Sequence, residues 1–286
     1  MTGETIPYID LEKISEQFEC NKLRNACEKW GCFRIINHSI PLTLMDEMKM
    51  VVVALHDLPM DIKKNNKDVI PGSGYFGPSV FNPLIESVGL YDMGSSQAIQ
   101  DFCSQLNATP HQRQIMETYG ILDADFEDWP CQYRINNYNF TSETIGSFGA
   151  SAHIDSGFLT ILQDDENVGG LEVMDNYGSF VSVAPFHGAL LANLGDIARA
   201  WSNGRFCNVK HRVLCKEPTT RYSIATFMLG PRKGNVEAPK ELVDHDHPLL
   251  YRPFTYEEYR TLRVSDNNDR DKFLQACEVL ELLRLV

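Results

Sequence analysis

Ala152-His153-Ile154-Asp155-Ser156-Gly157-Phe158-Leu159-Thr160-Ile161-Leu162-Gln163 carries two signals. Its second half is a short apolar run entered from a glycine, and it reads as a buried strand. Its first half places His153 and Asp155 at positions i and i+2, which in an extended segment point to the same side. A His-x-Asp pair alone is a weak pattern, because most histidines are surface or satisfied core residues. A third donor, His211 in Asn208-Val209-Lys210-His211-Arg212, turns the pair into a set. Two imidazoles and one carboxylate close one face of an octahedron and leave three cis positions open. That arrangement suits an oxygen-activating Fe(II).

The strand signal repeats on both sides. Short apolar runs at 132–138, 159–163, 171–174, 180–183, 189–194, 209–215 and 222–229 are separated by turn residues such as Gly169-Gly170, Asn176-Tyr177-Gly178 and Gly195-Asp196. Evenly spaced short strands predict an all-β sandwich or barrel. The ligands fall at its mouth, where binding sites are often built.

The flanks are helical. Apolar residues at helical spacing predict helices at 21–30, ended by Gly31, and at 41–55, opened by Pro41. Further helices are expected from Thr109 to about Tyr119, at 256–263 and at 270–283. Ile6 to Leu11 and Cys32 to Ile36 read as strands, and 82–106 shows no clear period. Ile70-Pro71-Gly72-Ser73-Gly74-Tyr75-Phe76-Gly77-Pro78 reads as an irregular loop laying its aromatics against the body. The expected plan is a helix-rich region over 1–130, a β core over 131–230 and a helical region over 231–286, forming one folded unit.

Composition narrows the function. The 286 residues carry a formal net charge of -13, which argues against partners held by phosphate neutralisation and against an anionic membrane surface. Eight cysteines are scattered without a Cys-x-x-Cys pair, so they read as reduced thiols. No apolar run approaches the ~18 residues of a membrane span, and the first residues lack a signal-peptide pattern. A cytoplasmic location, with no nucleic-acid or membrane partner, is the expectation.

A second constellation follows the third ligand. In Arg221-Tyr222-Ser223, Arg221 and Ser223 share one face of a strand, and a guanidinium fork beside a hydroxyl matches a carboxylate. Tyr138 is positioned to add a phenolic donor. A metal and a carboxylate site together suit a 2-oxo acid that chelates the iron at one end and reaches Arg221 at the other. The competing reading of Arg221 is a surface residue at a strand start.

These motifs resemble a known family. Ile6-Pro7-Tyr8-Ile9-Asp10-Leu11, Trp30-Gly31-Cys32-Phe33 with Asn37-His38, His153-x-Asp155-Ser156-Gly157-Phe158-Leu159-Thr160, Asn193-Leu194-Gly195-Asp196, His211-Arg212-Val213 and Arg221-x-Ser223 occur in the order seen in plant 2-oxoglutarate-dependent dioxygenases. Gly74-Tyr75-Phe76-Gly77-Pro78, Asn82-Pro83-Leu84 and Gly89-Leu90-Tyr91-Asp92 are similar to the branch that oxidises auxin. The resemblance implies a distorted double-stranded β-helix (jelly roll), Fe(II), 2-oxoglutarate and dioxygen as cosubstrates, and ascorbate as reductant. It also implies a small aromatic acid as substrate, with indole-3-acetic acid converted to 2-oxindole-3-acetic acid. The aromatic pocket is then expected among Tyr75, Phe76, Phe158, Phe180, Phe227 and Met228, with one of the last two facing inward.

Two features depart from the family. A long helix normally precedes the strand that starts here at Cys131, and the stretch after Tyr119 is short by about one such helix of ~25 residues. Its loss predicts exposed apolar β surface. Asn139 also stands where the family usually has a proline. The competing expectations are a related oxygenase acting on another plant hormone or specialised metabolite, an oxidase of the same fold that does not use 2-oxoglutarate, and a catalytically silent shortened form.

Overall fold

The computed structural model describes residues 5–80, 82–119, 128–265 and 279–285. Its strands, in chain order, are β1 (Tyr8–Asp10), β2 (Cys32–Ile36), β3 (Ile85–Tyr91), β4 (Cys131–Tyr138), β5 (Phe148–His153), β6 (Leu159–Gln163), β7 (Leu171–Met174), β8 (Phe180–Ser182), β9 (Leu190–Leu194), β10 (His211–Leu214) and β11 (Arg221–Met228). The helices are α1 (Gln17–Lys29), α2 (Leu42–His56), α3 (Met60–Lys63), α4 (Ser96–Gln105), α5 (Pro110–Tyr119), α6 (Asp196–Trp201) and α7 (Tyr256–Ser265).

The strands form a seven-stranded sheet, β1-β2-β9-β6-β11-β4-β3, and a four-stranded sheet, β5-β10-β7-β8. Every pairing is antiparallel except β1 with β2. Alternation divides each strand between two faces. Cys32, Leu162, Leu191 and Ala225 of the larger sheet meet Ala150, Leu171, Val173 and Val213 of the smaller one in a single core. That core is the interior of the jelly roll. The opposite face of the larger sheet carries Val88, Tyr133, Ile135 and Ile224, which bury against Met48, Val52 and Leu55 of α2, Phe102 of α4 and Ile115 of α5.

Three strands of the larger sheet come from the first 130 residues, so the N-terminal region is woven into the sheet. Two of its elements escape a pattern reading. β3 has Gly89 at its centre, where a Cβ would stand 2.0 Å from the Ser73 carbonyl oxygen. The neighbouring loop crosses too close for a side chain, and that breaks the apolar alternation. α4 is capped by Ser95, whose hydroxyl accepts from the Ala98 N–H. β5 also escapes, because Gly149, Ala150 and Ser151 offer no large apolar residue.

The expected helix at 270–283 falls largely on residues 266–278, outside the described residues, and Val279–Leu283 is a 3-10 turn. The junction at 120–127 also lies outside them. On the outward face beside it, Leu159, Ile161 and Tyr222 are half-buried, and the Tyr119 hydroxyl donates to Gln163 Oε1 at 2.7 Å. The end of α5 therefore covers part of the surface expected to lie open.

Candidate metal and cosubstrate site

His153, Asp155 and His211 meet at one end of the interior. His153 is the last residue of β5 and pairs across the smaller sheet with His211, the first residue of β10. Their ring centroids are 4.3 Å apart. Asp155 is not in the same strand as His153, contrary to the extended-segment reading. It lies in the turn to β6, and the fold holds it there by other means. The Asp196 N–H donates to the Asp155 carbonyl at 3.0 Å, and Arg263 of α7 donates to the Ile154 carbonyl at 2.7 Å. Gly195 allows this approach, since a Cβ there would sit 2.5 Å from the Asp155 carbonyl oxygen.

Asp155 Oδ1 is 3.7 Å from His153 Nε2 and 3.8 Å from His211 Nε2. The second nitrogen of each ring is engaged, His153 Nδ1 with the Ser151 carbonyl at 2.8 Å and His211 Nδ1 with that of Val209 at 3.3 Å. Each Nδ1–H donating to a carbonyl sets the tautomer that leaves the Nε2 lone pair free for a metal. The Thr160 hydroxyl donates to Asp155 Oδ2 at 2.6 Å, so Oδ1 is the oxygen left facing the imidazoles. Burial, reinforced by the neighbouring His211, pushes His153 down to about 4, so it is neutral at physiological pH and can act as a ligand. Two imidazole nitrogens and one carboxylate oxygen converge on one point, and this donor set fits Fe(II).

Thr160 was not singled out from the sequence, although its place two residues into β6 faces it inward. Replacing it with Val is expected to weaken Fe(II) binding about 10- to 100-fold, because the carboxylate loses the bond that orients it. Titration of the oxygen-free apoprotein with Fe(II) checks this, and an affinity equal to wild type would remove Thr160 from the site.

The second constellation is equally buried. Arg221 is 1% exposed and Ser223 3% exposed, and both face the interior on β11, the strand that carries Phe227 further along the same face. The Arg221 guanidinium lies 5.0 Å over the Tyr138 ring, and Asn136 Nδ2 donates to the Ser223 hydroxyl at 3.2 Å. Arg221 is therefore no surface residue. Burial disfavours its charge, but the Asp164 carboxylate beside it outweighs burial and keeps it protonated. Arg221 Nη2 donates to Asp164 Oδ1, while Nε and Nη1 are buried with no partner among the described residues. Unpartnered guanidinium nitrogens of this kind fit the far carboxylate of 2-oxoglutarate.

The expected aromatic pocket divides. Phe227 and Phe76 pack toward the interior core, with Phe76 under the Arg134 guanidinium at 4.9 Å. Met228 faces the helix side, as alternation requires when Phe227 faces in. Tyr75 also belongs to the helix side, where its hydroxyl donates to Glu86 Oε1 at 2.9 Å. Phe180 lies on the outside of the smaller sheet under Arg212, 3.9 Å from the ring centroid. Phe158 packs edge-on between Trp129 and Trp201. These four leave the expected pocket. Met228 turns outward as expected once Phe227 faces in, Phe180 faces outward because strand parity puts it one position off the inner face, and Tyr75 and Phe158 lie outside the strands. His245 and His247 are exposed and paired with Asp246 and Asp244, as surface features.

Known proteins match this chain in sequence and in fold. Residues 129–230 match the 2OG-Fe(II) oxygenase superfamily, and residues 6–113 match the N-terminal region described for a non-haem dioxygenase in morphine synthesis. The chain is 48% identical to the 2-oxoglutarate-dependent dioxygenase DAO of Oryza sativa subsp. indica, over 91% of this chain and 94% of that protein. That alignment spans 283 positions while using 91% of a 286-residue chain, so the relative has residues within the match that this chain lacks. Among solved structures, the rice dioxygenase for auxin oxidation superposes with a TM-score of 0.86 at 44% identity, covering 98% of this chain and 100% of that one. The binary complex of dioxygenase for auxin oxidation 1 from Arabidopsis thaliana with 2-oxoglutarate gives 0.81 at 50% identity, covering 85% and 100%.

Proposed function

The chain belongs to the 2-oxoglutarate- and Fe(II)-dependent oxygenase family, and on that premise we propose that it oxidises indole-3-acetic acid to 2-oxindole-3-acetic acid. The observation that supports this reading is one interior, between the two sheets, holding two sites. One is a His-Asp-His set suited to Fe(II), and the other is a guanidinium with free donors suited to a dicarboxylate. Relatives bearing the name of auxin oxidation match over nearly the whole chain.

Bound Fe(II) supplies the oxygen chemistry, in which 2-oxoglutarate and dioxygen give succinate, carbon dioxide and one oxygen atom on the substrate. The residues of this chain do the rest. His153, Asp155 and His211 would hold the ion. Arg221, Ser223 and Tyr138 would hold the far carboxylate of the cosubstrate and so orient its other end toward His153, Asp155 and His211. Phe227 lies on the same strand as Arg221, across from Thr160, whose hydroxyl holds Asp155, and offers an apolar face for an indole. The buried walls exclude water from the reacting centre.

The seven described cysteines are all free thiols, which supports a reducing compartment and hence the cytoplasm. No helix among the described residues is long and apolar enough to cross a membrane. Mass spectrometry of products formed with Fe(II), 2-oxoglutarate, ascorbate and indole-3-acetic acid tests the reading. A different hormone acid gaining the oxygen, with indole-3-acetic acid untouched, would keep the reaction class and replace the substrate.

A further inference from the structure

Arg34 is as deeply buried as Arg221, at 1% exposure, yet none of the functions above uses it. It sits on β2, opposite Leu191 of β9, on the face shared with Cys32. Phe33 and Ile35, its neighbours in sequence, face the α1 and α2 side. The guanidinium thus reaches into the interior. Its Nη2 donates to the Ala184 carbonyl at 2.5 Å and lies 3.7 Å from Asp164 Oδ2. Its Nη1 is buried without a partner among the described residues. The other Asp164 oxygen, Oδ1, is the one that meets Arg221.

Asp164 therefore sits between two guanidiniums, one on each oxygen. The adjacent Asp165 is engaged elsewhere, accepting from the Tyr222 N–H and pairing with Lys49 at 3.5 Å. Two buried cations and one buried anion leave one net positive charge. That is the charge an incoming carboxylate cancels, and a buried ion group is tolerated only when its charge and hydrogen bonds are matched. Without Arg34, Asp164 would neutralise Arg221 completely, and a dicarboxylate would bring an unmatched charge into the interior.

We propose that Arg34 is a positioning residue of the cosubstrate site: it shares Asp164 with Arg221, so that Arg221 keeps donors and net charge for the far carboxylate of a 2-oxo dicarboxylic acid. The inference rests on the assignment of Arg221 to that carboxylate. It names a specificity device as well, because a 2-oxo monocarboxylate with the same chelating end does not use it.

The test is equilibrium binding to the Fe(II)-loaded protein under nitrogen, followed by the visible band of the chelate. Arg34→Met is expected to weaken 2-oxoglutarate binding about tenfold or more, to leave 2-oxobutanoate within about twofold, and to leave Fe(II) affinity unchanged. Arg34→Lys keeps the charge and is expected to recover part of the loss. Adding Asp164→Asn to Arg34→Met restores the net charge, and binding is expected to return to within about threefold of wild type. A purely structural role for Arg34 predicts the opposite, a double variant worse than either single one, and that result overturns the proposal. Equal losses for the two 2-oxo acids overturn it as well. Should Arg34→Met not fold, Asp164→Asn alone decides: several-fold tighter 2-oxoglutarate binding supports the proposal, and unchanged or weaker binding overturns it. Arg221→Met in parallel separates the two assignments. If it leaves 2-oxoglutarate binding intact, the carboxylate site itself is misassigned. If it loses binding while Arg34→Met does not, only the role of Arg34 fails.

Discussion

Asp155→Ala is expected to remove Fe(II) binding and, with it, all turnover. Asp155 contributes the only carboxylate of the three-donor set, and its Oδ1 stands nearly equidistant from the two imidazole Nε2 atoms. Without it only two imidazole nitrogens remain, and a divalent charge in a buried site is left with no anionic ligand from the set. The loss should exceed the ~100-fold limit typical of residues that merely orient a ligand, such as Thr160. Anaerobic titration with Fe(II) measures it, and circular dichroism establishes that the variant is folded. A folded Asp155→Ala protein that still binds Fe(II) at wild-type affinity would place the ion elsewhere.

Arg221→Met is expected to separate the two sites. Methionine fills much of the arginine volume without charge or donors. The far carboxylate then loses a paired, charge-assisted contact worth about 1.5–3 kcal/mol per bond, so 2-oxoglutarate affinity should fall by roughly 10- to 100-fold or more. Fe(II) affinity should stay near wild type, because no metal donor touches Arg221. Removing the cation also leaves Asp164 with Arg34 alone, so some loss of melting temperature is expected. Binding of 2-oxoglutarate measured as a visible band under nitrogen gives the readout. Parallel loss of iron and cosubstrate would mean that the variant damages the whole interior, and unchanged cosubstrate binding would remove Arg221 from the site.

The difference between what the chain announces and what it conceals has physical causes. The β core was legible because β6, β7, β9 and β11 are dense in large apolar residues bounded by glycine turns. β3 and β5 were not, since each places a glycine within the strand to admit a crossing chain or a ring, and small residues carry no periodic signal. The grouping of His153, Asp155 and His211 and the shared face of Arg221 and Ser223 were readable from spacing and residue type. Asp155, however, reaches the site through a turn held by the backbone of α6 and by Arg263, more than a hundred residues away, and no local pattern encodes that bond. Arg34 was hidden for a related reason. Its strand reads as a run of core residues, and only the pairing of β2 with β9 brings its guanidinium toward Asp164. Phe227 and Met228 are neighbours, so spacing predicts that one of them faces inward, and only the register of β11 shows that it is Phe227.

The buried network behind the metal loop ties these parts together. Asp196 accepts from Asn208 at 2.5 Å, from the Tyr259 hydroxyl at 2.5 Å and from Arg263 at 3.3 Å. Burial raises its pKa, and Arg263 works against that rise. Asn208 lies three residues before His211, and Arg263 holds the carbonyl between His153 and Asp155. One carboxylate thus links α6, α7 and both halves of the donor set, which places α7 among the supports of the site.

The most direct measurement is the product spectrum. Purified protein incubated with Fe(II), 2-oxoglutarate, ascorbate and indole-3-acetic acid in air is expected to yield a product heavier by one oxygen atom, with succinate formed in equal amount and neither formed by Asp155→Ala. Indole-3-acetic acid recovered unchanged, with no succinate from a folded and iron-loaded protein, would contradict the account.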